Sequence, residues 1–304
     1  MIDLLNVQVF FLVLFHIYKY YSGIILCCRK RDLMNNLNVI NGSGKYINDC
    51  VDRCLEAAIK WYGDKYEDII VDTIHRVNFY NWQDNQSFSD VKRDILGSSY
   101  MEGSSIKDGM NEQMNKGFYF VNTANGKYDK IVVCQEEKLR HDYNVLVHEL
   151  YGHAVMGSVD EVIYLNNEEV IRNGIRLFSS KSKHILNNWA NEGFVEYSAE
   201  NISRMAGVSI DKKTMYNYVL TMRLAALAID IIGREKVFDS LILNEGIFKD
   251  EYNKGLEYDE WKVISKLVDG FYDKYMDFNK MFLEVNKYNQ KLNSFAKRRS
   301  RRYF

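Results

Sequence analysis

Two histidines five residues apart set the tightest condition on how this chain can fold. His148 and His153 bracket the run His148-Glu149-Leu150-Tyr151-Gly152-His153. Around them Val145, Leu146, Leu150 and Val155 give an apolar face, so residues 138–156 are predicted to form one helix that stops at Gly157. An ideal helix turns about 100° per residue, so positions five apart diverge by about 140°, whereas positions four apart diverge by about 40°. A straight helix would therefore send the two imidazoles to different faces. For both to serve one site the helix must be locally unwound. A one-residue π-bulge does this, and Gly152, just before the second histidine, would ease it.

Histidines spaced around a glutamate on one helix are the pattern of a catalytic zinc site. Zinc takes imidazole nitrogen and carboxylate oxygen in a tetrahedral array, with three protein ligands and one place left for water. The glutamate beside the first histidine then serves as general base. Two other pairings compete. His141 and His148 share a face but lie about 10 Å apart along the axis, too far for one ion. Glu149 and His153, four apart, could bind a metal jointly on an undistorted helix. That would use Glu149 as a ligand and leave the site without its base.

A third ligand is available further on. Trp189-Ala190-Asn191-Glu192-Gly193-Phe194-Val195-Glu196-Tyr197 falls within a second predicted helix, residues 183–205. Glu192 could complete the metal set. Glu196, one turn later, could take a hydrogen bond from a ligand histidine and fix its tautomer. Alone, either carboxylate would read as part of a solvated acidic face.

Together the two motifs resemble the glutamate-zincin group of metallopeptidases. The helix from Trp189 to Tyr197 resembles the W-x-N-E-G-(x)-x-x-Y helix of the aminopeptidase N family. The run from His148 to His153 resembles the HELLGH motif of dipeptidyl peptidase III, whose downstream E-E-x-x-A-E helix also supplies a zinc ligand. Glu192 matches that ligand and Glu196 the final Glu, while Asn191 and Val195 depart from the pattern. The resemblance implies one Zn2+ per chain held by His148, His153 and Glu192, with Glu149 as general base of peptide-bond hydrolysis. It also implies an oxyanion partner, for which Tyr216, Tyr218, Arg223 and His184 are candidates. The run 130–135 resembles the zincin edge strand, which binds substrate backbone by β-augmentation. The substrate would be a peptide or protein. The chain is far shorter than dipeptidyl peptidase III, and no exopeptidase activity is carried over.

The remaining pattern places these motifs. Residues 49–62 carry Val51, Cys54, Leu55, Ala58 and Trp61 at helical spacing; residues 69–79 read as a strand; residues 84–114 are polar and irregular. Residues 117–123 and 130–135 are β-rich, with the hairpin signal Asn125-Gly126 between them. Residues 161–165 and 170–178 read as strands about an Asn166-Asn167 turn. Residues 212–232 form a third helix, and most of 234–292 is helical. The expected fold class is α+β and zincin-like: a small β-sheet whose edge strand packs on the active-site helix, then a mainly helical C-terminal half.

Three regions follow: an apolar N-terminal segment 1–40, a metallopeptidase domain 41–293 and a basic tail 294–304. The first is apolar enough to serve as a membrane anchor beside Arg29-Lys30-Arg31 if Asn6, Gln8, His16 and Lys19 are tolerated; it also reads as a buried helix. Asp3 and the lack of a basic start argue against a signal peptide, so the compartment is left between cytoplasm and membrane, with secretion disfavoured. A net charge of −1 gives no field that favours nucleic acid, so no specific nucleic-acid partner is expected. Five cysteines without a CxxC pair argue against a disulfide framework and a thiolate zinc knuckle. Besides a peptidase, the motifs allow a zincin-fold module that binds zinc without turnover and acts as an interaction protein; the intact Glu149 counts against it.

Overall fold

The computed structural model describes residues 37–40, 44–82, 117–122, 129–139, 143–159, 162–165, 168–179, 185–186, 188–208 and 219–246. Expectations for the segment 1–36, the Asn125-Gly126 and Asn166-Asn167 turns, His141, His184, Tyr216, Tyr218 and residues 247–304 lie outside them. Among the described residues no helix is long and apolar enough to cross a membrane.

The architecture is mixed α+β, with two four-stranded sheets. In chain order the first sheet takes β1 (Asn38–Val39), β2 (Val77–Trp82), β3 (Gly117–Asn122) and β4 (Asp129–Gln135). Helices α1 (Lys45–Tyr62) and α2 (Glu67–Arg76) come between β1 and β2. The short α3 (Glu136–Leu139) follows β4. Next comes α4, which opens at Asn144–Leu146 as α-helix and continues over Val147–Ala154 as π-helix. The second sheet is the meander β5 (Val162–Leu165), β6 (Glu168–Asn173), β7 (Arg176–Ser179) and β8 (Ile185–Leu186). Helices α5 (Asn188–Met205), α6 (Val219–Ile232) and α7 (Arg234–Ile242) complete the described chain.

The first sheet runs in the order β1-β2-β4-β3, with β1, β2 and β4 parallel and β3 antiparallel to β4. The expected pairing of 117–123 with 130–135 is present, with Phe118 opposite Val133 and Phe120 opposite Ile131. The edge assignment is corrected: the run 130–135 is an inner strand, and among the described strands β3 is the edge. Ile131, Val132, Val133 and Cys134 are all buried, so both faces of β4 are covered, as befits a strand between two others.

Three further boundaries differ from those the sequence pattern predicts. The pattern predicts strand over residues 69–79, yet Glu67–Arg76 is helix and the strand starts at Val77. Ile70, Thr73 and Ile74 are buried at helical spacing, Glu67 and Asp68 sit in the first turn, and Arg76 sits in the last. Core packing and end charges thus outweigh the β preference of branched residues. The expected strand 170–178 is two strands, because Gly174 at φ 58° opens a two-residue turn between Asn173 and Arg176. The helix expected from residue 183 starts at Asn188, and Ile185–Leu186 pairs with β7 instead.

One core joins these layers. α1 presents Cys50, Val51, Cys54, Leu55, Ala58 and Trp61, and α4 and α5 pack against it through Leu150, Tyr151, Phe194 and Val195. Cys50, Cys54 and Cys134 are buried free thiols.

Candidate metal centre

The five-residue spacing is accommodated by α4 itself. Over Val147–Ala154 the helix is of π type, eight residues long in place of the expected single-residue bulge. A π-helix closes i→i+5 bonds, so residues five apart fall one above the other. The rings of His148 and His153 accordingly adjoin, with centroids 5.0 Å apart and planes at 75°.

Two neighbouring features support the widened turn. Val155 N–H donates to the carbonyls of Leu150 and Gly152. Between them in sequence, the Tyr151 carbonyl accepts from the Tyr62 hydroxyl of α1 at 2.5 Å. The side chain of Tyr151 reaches back to α1, donating to the Val51 carbonyl at 3.3 Å. Gly152 contributes by close approach. A Cβ there would lie 2.5 Å from Val195 Cγ1, so its bare backbone is what lets α5 close on α4.

α5 brings the carboxylates. Glu192 faces both histidines: Oε2 lies 3.2 Å from His148 Nε2, and Oε1 lies 3.3 Å from His153 Nε2. Glu196, one turn on, lies 2.5 Å from His148 Nδ1 through Oε2, and its Oε1 accepts from Asn144 Nδ2 at 3.2 Å. Each histidine thus has Nδ1 occupied and Nε2 turned to Glu192. His153 Nδ1 is held by the amide oxygen of Asn173 at 3.0 Å, while Asn173 Nδ2 donates to the His153 carbonyl at 2.6 Å. Asn191 Nδ2 donates to the same Asn173 oxygen at 3.1 Å, and Asn191 Oδ1 accepts from Ile175 N–H at 3.1 Å. Asn191, which departs from the E-E-x-x-A-E pattern, fastens the β6–β7 turn to α5. From the edge strand, the ring of Tyr119 stacks on His153, with planes 5° apart and centroids 6.1 Å apart.

His148, Glu149 and His153 are all buried and each presents a ligand atom within 4.8 Å of the others, so this group could hold a metal ion. Two carboxylates compete for the third place. Glu149 comes from the same helix, and Glu192 comes from α5 with an oxygen close to each Nε2. The donor chemistry suits a divalent cation. Three carboxylates and two imidazoles share a buried space, and carboxylates so placed need compensating positive charge.

The charges respond to one another. Burial opposes the charged form of His148, but hydrogen bonds to Glu192 and Glu196 outweigh it and hold the imidazole well above its ordinary pKa. Burial would raise Glu192, yet the positive charge of His153 and hydrogen bonds from both imidazoles carry it well below the usual carboxylate range. Glu149 moves the other way: burial raises its pKa, with the two histidines pulling against it.

The oxyanion candidates stand apart. Arg223 is on α6 with an exposed side chain, and Tyr216, Tyr218 and His184 fall outside the described residues. A cation that the sequence pattern does not single out lies closer. Arg176 Nη1, from the start of β7, is 3.9 Å from Glu192 Oε1. Asn173 and Arg176 flank a turn at a place where the apolar pattern predicts unbroken strand. The Asn173-Gly174 pair is the signal that marks it.

No family model, no curated protein and no solved structure matches this chain.

Proposed function

We propose that the chain is a zinc-dependent peptidase, with His148, His153 and Glu192 as metal ligands and Glu149 as general base. The observation that carries this reading is the convergence of Glu192 on the Nε2 atoms of both histidines, with Glu149 beside them. Two imidazole nitrogens and one carboxylate are the donor set of catalytic zinc sites. The set is too rich in nitrogen for calcium or magnesium, which favour all-oxygen shells. Glu192 is preferred to Glu149 as third ligand because it faces both Nε2 atoms from a separate helix. That leaves Glu149 for proton transfer. The zincin-like fold belongs to the same proposal. It rests on the edge strand lying over the helix that carries the histidines and on the later helix that carries the glutamates.

When bound, zinc supplies a water acidified to a pKa of about 7 and a Lewis acid for the scissile carbonyl. The protein's own groups do the rest. Glu149 takes the proton from the attacking water on its carboxylate and passes it to the leaving amine. Its burial raises its proton affinity, which suits a group that must hold that proton between the two steps. Glu196 and Asn173 fix the ring orientation of His148 and His153 through their Nδ1 atoms. Among the described strands β3 pairs only with β4, so its outer edge can take an extended peptide by strand addition.

The test is a pair of measurements on purified protein. Wild type should retain about one zinc per chain by elemental analysis and cut peptides from an unbiased library. Glu149→Gln should retain the zinc and lose turnover by a factor of about 100 or more. A protein without stoichiometric zinc, or an active Glu149→Gln variant, would overturn the reading.

A further inference from the structure

The β6–β7 turn does more than hold His153. Its two flanks reach the metal centre from one side, Asn173 behind His153 and Arg176 beside Glu192. The two residues differ in access. The Asn173 residue is buried at 3% exposure, whereas the Arg176 side chain is 28% exposed against 11% for Glu192. Among the described residues Arg176 is therefore a cation on the more exposed side of the centre. At 3.9 Å its contact with Glu192 Oε1 is electrostatic, longer than a hydrogen bond.

The turn holds this arginine firmly. Gly174 leads directly to Ile175, whose N–H is fixed by Asn191 of α5. Arg172, one residue before Asn173, is buried and donates to the carbonyls of Gly174 and of Leu241 at the end of α7. The backbone that carries Arg176 is thus fixed by these bonds and by its pairing with Asn173, so less freedom is lost when the guanidinium captures a ligand. A guanidinium matches a carboxylate with two parallel hydrogen bonds. In a peptide, a carboxylate comes from an acidic side chain or from the C-terminus.

Resting on the peptidase reading, we infer that Arg176 determines specificity by binding a substrate carboxylate next to the scissile bond. The centre then selects peptides with an acidic residue, or a free C-terminus, at that position.

Three peptide sets of one core sequence separate the sources: acidic side chains with an amidated C-terminus, neutral side chains with a free C-terminus, and neutral side chains with an amidated C-terminus. Two readouts are taken, kcat/KM on wild type and calorimetric binding to the Glu149→Gln variant. One carboxylate-bearing set should be favoured over the neutral set. Arg176→Ala should lower kcat/KM and affinity for it by about tenfold or more beyond any loss on the neutral set, as expected for a charge-assisted hydrogen bond. Arg176→Lys should keep part of the preference. Zinc content and thermal unfolding of each variant show whether the centre is intact, and Arg176→Gln replaces Ala if the latter does not fold. Equal losses on all three sets would assign Arg176 to the transition state and overturn the inference. So would no preference in wild type, or no effect of substitution. Absence of zinc and of all turnover would sink the peptidase reading instead, and the calorimetric arm would still decide whether Arg176 captures a carboxylate.

Discussion

His148 and His153 stand five residues apart in one helix, yet their rings lie 5.0 Å apart and both turn Nε2 toward Glu192. A metal bound where they meet would add its binding free energy to the stability of the fold. Alanine at His148, His153 or Glu192 should each remove stoichiometric zinc. Wild type should also gain thermal stability on adding zinc, by about 2.7 kcal/mol at a free concentration one hundred times Kd. Differential scanning calorimetry with and without chelator checks both. The three variants should show little or no zinc-dependent shift.

The π-helix itself can be tested from α1. Tyr62→Phe removes the donor to the Tyr151 carbonyl and keeps the ring. The expected cost is about 1 kcal/mol, because the carbonyl is buried. If the bond helps hold the widened turn, zinc affinity should fall as well. Competition with a chromogenic chelator measures that. An unchanged affinity would mean that the turn keeps its shape without Tyr62.

Gly152 is expected to tolerate no side chain while Val195 stands opposite. A Cβ placed there lies 2.5 Å from Val195 Cγ1, and a valine so close to its own backbone cannot swing away. Gly152→Ala should destabilise by about 1–3 kcal/mol, as overpacking does. Adding Val195→Ala should restore much of the loss, a coupling that denaturant unfolding of the four proteins would read.

Lys130 gives the fold a pH dependence separate from the metal. It is buried on β4, and its Nζ lies 2.9 Å from the Gly157 carbonyl and 3.4 Å from that of Ala154, at the end of α4. Burial, aided by the charges of Arg76 and Arg172, pushes its pKa down to about 6 from the ordinary 10.5. Between those values the unfolded chain holds the proton and the folded chain does not. Stability therefore rises with pH across that window, by up to about 1.4 kcal/mol per unit, and the penalty is fully present below pH 6. Urea unfolding at pH 7 and pH 9 should show wild type gaining on Lys130→Met by up to about 3 kcal/mol. Parallel behaviour of the two proteins would show that Lys130 is protonated alike in both states.

Much of the candidate site is legible in the sequence. The types of residue and their spacing point to His148, His153, Glu192 and Glu196, because metal chemistry demands particular atoms and helices bring them together at few intervals. The five-residue gap even requires a widened helix. What spacing does not supply is the source of support for that widening. The groups that contact the widened turn, Tyr62 and Val195, are remote in sequence and chemically ordinary.

Local elements follow from the chain where its signals are plain: the apolar period marks α1, and a hairpin signal marks the pairing of β3 with β4. The sequence also points to the candidate donors, since only so many histidines and glutamates sit at usable intervals. Long-range packing decided that β3, not β4, borders the sheet among the described strands, that Glu67–Arg76 is helix despite its branched residues, and that Asn173 and Arg176 arrive at the candidate metal centre. The reason is physical. Periodicity reports how a segment meets its nearest surroundings, whereas an edge, a turn tied to a distant helix and a hydrogen bond across the core depend on which surfaces bury one another. Those choices are made by packing over long sequence separations, where a two-residue signal such as Asn173-Gly174 weighs little until the rest of the fold is in place.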